Sequence, residues 1–404
     1  MMGASSQMKK SVFKKLFFNT MFSRFSITGI LLFVCVELKA QTNPLELDGY
    51  FKSLSGFSAV KGLENILLSG NIQNRIRMKY TLSDQQTFRI EIRNRLLWGD
   101  YFLLFPELLE SIGDDPSFLD LSFHHILKTN LVLNSNIDRC VWKLVWKEWS
   151  ISFGRQRIHW GIHNYWNPND LFNTQDFLDF DYPERPGTDA IRVQRTTGLE
   201  SGFDIAFHPE KKIVDATTGI RYFTQINSYD VQGILGMYKG ELALGAGWAG
   251  AIGSSGWKTE CTFFGGKKIR GHEEKPSWTL TTSWDHMFKG QWYISMSILY
   301  HSLYASSNEF FGFSPSLVLN PKQLFPSQFS VMLQGSKVFW DRLNVQMALL
   351  YGTENDLLLV YPGFSWDVGN QSTFDFRSQL AWATMNHEYS LSIQNHYLTF
   401  QINF

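Results

Sequence analysis

Residues 291–301 read Gln-Trp-Tyr-Ile-Ser-Met-Ser-Ile-Leu-Tyr-His. Trp292, Ile294, Met296, Ile298 and Tyr300 fall on one face of an extended chain, with Tyr293, Ser295, Ser297 and His301 on the other. A period of two marks a strand with one apolar and one polar face. The pattern returns at 343–351, where Leu343, Val345, Met347, Leu349 and Tyr351 oppose Asn344 and Gln346. It returns again at 372–382, where Phe374, Phe376, Leu380 and Trp382 oppose Thr373, Asp375, Arg377 and Gln379. Soluble sandwiches alternate as well, so segment length and ring placement decide. These segments reach ten to twelve residues, against the ~9–11 that cross a bilayer at a tilt and the 5–6 of an ordinary strand. Rings recur at their ends (Trp278, Trp284, Trp292, Tyr300, Tyr351, Trp382, Tyr397), as in the aromatic girdles of a membrane barrel.

The final residues extend the pattern. Leu398, Phe400, Ile402 and Phe404 alternate to a terminal ring, with Thr399, Gln401 and Asn403 between them. Phe400 and Phe404 are therefore read as the signal presented to a barrel-assembly machinery. At the other end, Lys9, Lys10, Lys14, Lys15 and Arg24 precede the apolar run Ile27 to Val36, as in an export signal cleaved near Ala40. The expected class is all-β: a transmembrane antiparallel β-barrel of 16–18 strands with a constriction loop, in a bacterial outer membrane. The expected division is a signal peptide over 1–40, an N-terminal periplasmic segment over 41–67 and the barrel over 68–404. Counting back from the C-terminus gives eighteen strands, the last four near 139–147, 120–132, 87–98 and 68–81. Even parity puts both termini and the tight links on the periplasmic side. It leaves 99–119 as a long inner connection.

Composition agrees. Of 404 residues 18% are charged and 16% aromatic, against about 25% charged in ordinary soluble domains. After residue 40 no stretch is apolar enough for a membrane helix. Beyond the signal, 31 basic residues face 36 acidic ones, the wrong sign for a nucleic-acid partner. Cys140 and Cys261 are too few and too far apart for a disulfide scaffold.

With the apolar positions of 68–98 facing lipid, Arg75, Arg77, Lys79, Arg89, Glu91, Arg93 and Arg95 share the inner wall. Lipid exposure of an Arg or Lys near the midplane costs roughly 2–4 kcal/mol, so these residues are read as pore-lining. The strip either draws anionic solutes or forms a structural ladder with acidic residues of an infolded loop. That loop is 161–187, bounded by strands and rich in rings and carboxylates. Its candidate constriction residues are Trp166, Asn167, Asp170, Asp176, Asp179, Asp181, Glu184 and Arg185.

The run Gly154-Arg155-Gln156-Arg157, Trp160-Gly161, Asn167-Pro168-x-Asp170-Leu171-Phe172-Asn173 and Glu184-Arg185-Pro186-Gly187-Thr188-Asp189-Ala190 resembles a signature of alginate-export and porin-like outer-membrane barrels. The resemblance covers about 40 residues. It implies a passive, monomeric or weakly oligomeric channel for a hydrophilic solute; with the basic strip, the expected solute is small and anionic or carbohydrate. Departing from a polysaccharide exporter, the basic residues concentrate in one hairpin. The rival reading is a non-conducting barrel that anchors or assembles surface polysaccharide, with Tyr304, Phe310, Phe311, Phe313 and Phe325 suited to sugar stacking. A barrel enzyme ranks lower, because no nucleophile elbow, phosphate loop or zinc-protease pattern is present. No cofactor and no metal site is expected.

Overall fold

The computed structural model describes residues 44–404 except 62–64, 105–111, 113–114, 116, 175–186, 270–271, 304–318 and 386–387. Its first strands are β1 (Leu45–Val60), β2 (Leu67–Ser83), β3 (Gln86–Gly99), β4 (Ser122–Lys128), β5 (Leu131–Trp146), β6 (Trp149–Gln156) and β7 (Thr188–Thr196). Then follow β8 (Gly202–His208), β9 (Thr217–Ile226), β10 (Tyr229–Tyr238), β11 (Glu241–Ile252), β12 (Ser255–Phe264), and the short β13 (Lys268–Ile269) and β14 (His272–Glu273). The chain closes with β15 (Ser277–Phe288), β16 (Trp292–His301), β17 (Phe329–Phe339), β18 (Leu343–Gly352), β19 (Leu357–Asp367), β20 (Ser372–Met385) and β21 (Glu388–Asn403).

Apart from β4, β13 and β14, each strand pairs antiparallel with both neighbours, and β1 meets β21 from Tyr50↔Asn403 to Val60↔Ile393. The wall is thus a closed barrel of eighteen antiparallel strands, and closure removes every edge among them. β4 is accessory. It lies against residues 131–136 of β5, on the edge whose remainder, 140–146, carries β6.

The count of eighteen survives, but two of its parts do not. Residues expected as a periplasmic segment over 41–67 supply the wall strand β1, whose Gly49, Ser53 and Ser55 interrupt the outward apolar row Leu45, Leu47, Phe51, Phe57. The strands expected at 120–132 and 139–147 are not two spans. One strand, β5, runs from 131 to 146, and a bulge opposite Glu91 and Ile92 breaks its alternation at Asp138. One strand missed and one divided cancel in the total. Restoring β1 also moves the 100–130 connection to the end that holds the other long loops, where it replaces the anomalous inner one.

The start of β1 at Leu45 and the end of β21 at Asn403 share an end with the tight links. Asn227-Ser228 and Trp340-Asp341 take positive φ at both residues (49° and 69°; 52° and 56°), the backbone a short hairpin link needs to follow the strand twist. The outward face carries exposed Leu, Ile, Phe, Met and Trp on nearly every strand. The buried apolar residues lie inside, where the chain after β6 folds into the barrel.

Candidate lumenal constriction

The inner faces of β1, β2, β3 and β5 bring the predicted basic strip into one field. Arg75 stands opposite Arg93, Arg77 opposite Glu91, and Lys79 opposite Arg89. Arg75 is 1% exposed, and Arg93 and Glu91 are also buried. Such burial requires counter-charge, which the neighbouring strands supply. Glu91 accepts from Arg75 at 2.6 Å and Arg89 at 2.5 Å. Asp138, in the β5 bulge, takes Arg75 at 3.0 Å and Arg93 at 3.3 Å. Asp48 of β1 pairs with Arg77, and Glu46 with Lys79 at 3.0 Å. Arg95 donates to the Ile112 carbonyl at 3.1 Å and to Asn134.

Among the described residues, the carboxylates that pair with the strip come from the wall strands; the loop acids Asp176, Asp179, Asp181 and Glu184 expected as its partners lie outside the described residues. Lys52 and Arg139 share the inner face, so that among the described residues this field sets eight cations against four paired carboxylates.

The loop after β6 is built around two buried carboxylates. Asp170, 1% exposed, accepts the backbone N–H of Trp160 at 2.6 Å and of Gly161 at 2.7 Å, and meets His159 Nδ1 at 2.8 Å. Glu260 of β12, fully buried, accepts the backbone N–H of Ile162, of His163 at 2.6 Å and of Asn169 at 3.2 Å. Asn169 in turn donates to the Ala246 carbonyl at 3.0 Å and accepts from Thr262 at 2.8 Å. Trp160 Nε1 donates to Asp204 at 3.0 Å, and Gln232 donates to the Trp160 carbonyl at 2.6 Å. An infolded loop cannot use sheet partners for its amides, so wall side chains take that role.

Packing fixes where the loop lies. Ile158, Trp160 and Leu171 join Ala190, Ala206, Ile234, Tyr238, Ala243 and Phe264, a patch of the wall from β7 to β12. Small residues make the room: a Cβ on Gly245 would stand 2.6 Å from Asn169 Oδ1, and one on Gly219 2.9 Å from the Trp160 ring. Trp166, fully buried, instead joins Leu299, Phe325, Met332, Leu350, Leu357 and Leu359, part of a cluster that runs from β16 to β21. One loop thus packs on two separate sectors of the inner wall. Burial pushes the His163 imidazole down to about 4, with Lys258 adding to the effect, and pushes the Tyr165 hydroxyl up to about 12.

Between the ladder and this loop lies a cavity of about 300 Å³, lined by Arg93, Asn136, Asp138 and Arg155 on one side and by Leu171 to Thr174 on the other. Arg155 closes its floor, bound to Asp189 through Nε at 2.9 Å and to Asp115 at 2.5 Å. Burial raises the Asp115 carboxyl, but the N–H of Leu121, Arg155 and the N–H of Ser117 outweigh it and hold it below the usual carboxylate range.

Of the predicted constriction residues, Trp166, Asn167 and Asp170 are buried in the loop as expected of a packed segment. Asp170 serves the loop's own backbone. Asp176, Asp179, Asp181, Glu184 and Arg185 lie outside the described residues. So do Tyr304, Phe310, Phe311 and Phe313, whereas Phe325 is buried against Trp166 at a ring separation of 6.3 Å. Glu260 and Asp204 were not singled out in the sequence. Each is one acid on a polar face, and nothing local marks it as a loop anchor.

These features define a closed eighteen-strand antiparallel barrel, narrowed from within by its own loop and carrying a charged ladder on the facing wall. No family model and no curated protein matches the chain. Solved porin structures do match. OccAB4 of Acinetobacter baumannii is 9% identical with a TM-score of 0.58, covering 90% of this chain and 99% of its own. OccAB3 of the same organism is 8% identical with a TM-score of 0.57, covering 89% and 99%. OccK5 of Pseudomonas aeruginosa is 8% identical with a TM-score of 0.54, covering 89% and 98%. At such identities the likeness shows the fold.

Proposed function

We propose that this chain is a porin-like channel of a bacterial outer membrane, delivered by a signal cleaved near Ala40, that passes a small hydrophilic solute by diffusion. The observation that carries this reading is the lumen itself: a ladder with more cations than carboxylates among the described residues faces an infolded loop across a polar cavity. An eighteen-strand wall is wide enough to leave a channel unless something fills it. The excess of cations over carboxylates favours anionic solutes, including acidic sugars, through the local potential. Phe400 and Phe404 present the C-terminal pattern to the assembly machinery. The cavity carries ion-paired and packed groups rather than a nucleophile held by a base, which favours a channel over an enzyme.

The test is planar-bilayer conductance of the refolded mature protein under a salt gradient. Discrete steps with a reversal potential on the anion side support the reading. Silence from folded, inserted protein overturns it and favours a plugged barrel that anchors surface polysaccharide.

A further inference from the structure

Three of the wall strands are shorter than the rest. β6 has 8 residues, β7 has 9 and β8 has 7, where the other wall strands have 10 to 17. At about 3.3 Å per residue and a tilt of about 40°, seven residues rise ~18 Å and nine rise ~23 Å, short of the ~25 Å apolar belt of a membrane barrel. On one side the step is abrupt. β6 stops at Gln156, one residue past the Arg155↔Cys140 pair, whereas β5 continues to Leu131 with β4 beside it. Beyond β6 the strand tops stay level with one another. Thr188 of β7 pairs with Gln156, and His208 of β8 pairs with Thr217 at the start of β9.

The lumenal cavity reaches this low rim. Thr188, His208, Thr217 and Tyr238, the top residues of β7, β8, β9 and β10, line it together with Leu171, Phe172 and Leu319. Its volume of about 300 Å³ is that of a small-molecule site. Above the rim, the 209–216 link from β8 to β9 carries exposed Lys211 and Lys212, followed by Ile213 and Val214 at 70% and 71% exposure. This link lies against the next one, since a Cβ on Gly240 would stand 2.7 Å from the Val214 carbonyl oxygen. There the Lys239 ammonium sits over the Tyr238 ring at 5.9 Å, and Lys267 donates to the Lys239 carbonyl at 2.7 Å. The lip thus gathers four lysines. Of the acids beside them, Glu210 meets His208 at 3.6 Å and Glu241 holds Lys322 at 2.9 Å; Asp215 is the other acid of the 209–216 link. Inside the cavity, Asp115 and Asp138 are engaged by Arg155 and Arg93.

We propose that the low rim is a lateral port, which admits a single-chain amphiphile with an anionic head from the outer leaflet into the cavity. The chain crosses where the wall stops short of the belt, and the head rests on the lip lysines. A freely soluble anion needs neither the step nor the exposed Ile213 and Val214. An uncharged lipid does not call for four ammonium groups beside the opening. The inference rests on the outer-membrane placement proposed above and is independent of whether the lumen conducts.

The experiment uses the refolded barrel in lipid nanodiscs, with dodecanoate carrying a small fluorophore at its chain end as the probe. Wild type should bind the probe saturably; unlabelled dodecanoate should displace it, and acetate in large excess should not. Thr217→Trp, which fills the cavity at the rim, should abolish the bound fraction. Lys211→Gln/Lys212→Gln, on the exposed link, should weaken binding by roughly two- to tenfold, as two exposed charge contacts contribute. Both variants should keep the strand signal in circular dichroism. Lipids spin-labelled in the acyl chain should quench the bound probe. Folded protein without saturable binding overturns the proposal. So does displacement by acetate as effective as by dodecanoate, which would mark an ordinary anion site. Binding unmoved by Thr217→Trp, or a bound probe that the labelled lipids do not quench, overturns it as well. Conductance without dodecanoate binding would remove the port and leave the channel reading standing, whereas binding without conductance would do the reverse.

Discussion

Replacing Asp170 by alanine should open the constriction without unfolding the barrel. The carboxylate serves two buried backbone N–H groups, of Trp160 and Gly161, and the His159 ring. Hydrogen bonds to a charged group contribute about 1.5–3 kcal/mol each, and a buried donor left unmade costs about 1–3 kcal/mol. Glu260 and the Trp160 packing continue to hold the loop, so a net loss of roughly 3–5 kcal/mol falls on the loop alone. At about 1.4 kcal/mol per tenfold, the released population rises on the order of 10²–10⁴-fold. None of this touches the ladder of strand hydrogen bonds in the wall. Single-channel recording of Asp170→Ala should show larger or noisier steps than wild type, and limited proteolysis should cut between 157 and 174. Asp170→Asn, which keeps an accepting oxygen, should fall between the two. Wild-type conductance together with an uncut loop in the alanine variant would refute the anchoring argument.

Gly245→Val places a branched Cβ 2.6 Å from Asn169 Oδ1; overpacking of about 1–3 kcal/mol should loosen the same loop and raise conductance, and a smaller pore would count against it. Replacing Arg89, Arg93 and Arg95 together by Gln should move the reversal potential toward cations, and no shift would remove the ladder from the selectivity argument. His163 is held neutral in the fold at about 4 against an ordinary 6.5, so the unfolded loop binds more protons between those values. Loop stability is then complete above pH 6.5 and declines as pH falls toward 4. Protease sensitivity of 157–174 should rise at pH 4.5 relative to pH 7 and be blunted in His163→Gln.

The wall was legible wherever its outward face is uniformly apolar. Strands such as β16, β18 and β20 follow directly from alternation, because lipid on one side and water on the other impose a period of two. β1 and the first half of β5 were not legible, and the cause is the same in both. Gly49, Ser53 and Ser55 on one, and Ser135 with the Asp138 bulge on the other, interrupt the apolar row. The basic strip was legible as inward-facing, since charge is excluded from the outward side.

Its partners were not, because Asp48 and Arg77 are 29 positions apart and Arg75 and Asp138 are 63 apart; only closure and register bring them within bonding distance. Composition, alternation and the terminal rings thus determined the barrel and which way the charges point, both of which depend on local periodicity against two solvents. The tertiary structure alone decided that wall carboxylates pair with the ladder, that Glu260 and Asp204 hold the loop, and that Trp166 joins the cluster running from β16 to β21. Those are contacts between strands far apart in sequence, and an infolded backbone that must find hydrogen-bond partners takes them from whichever wall residue the closed register places beside it.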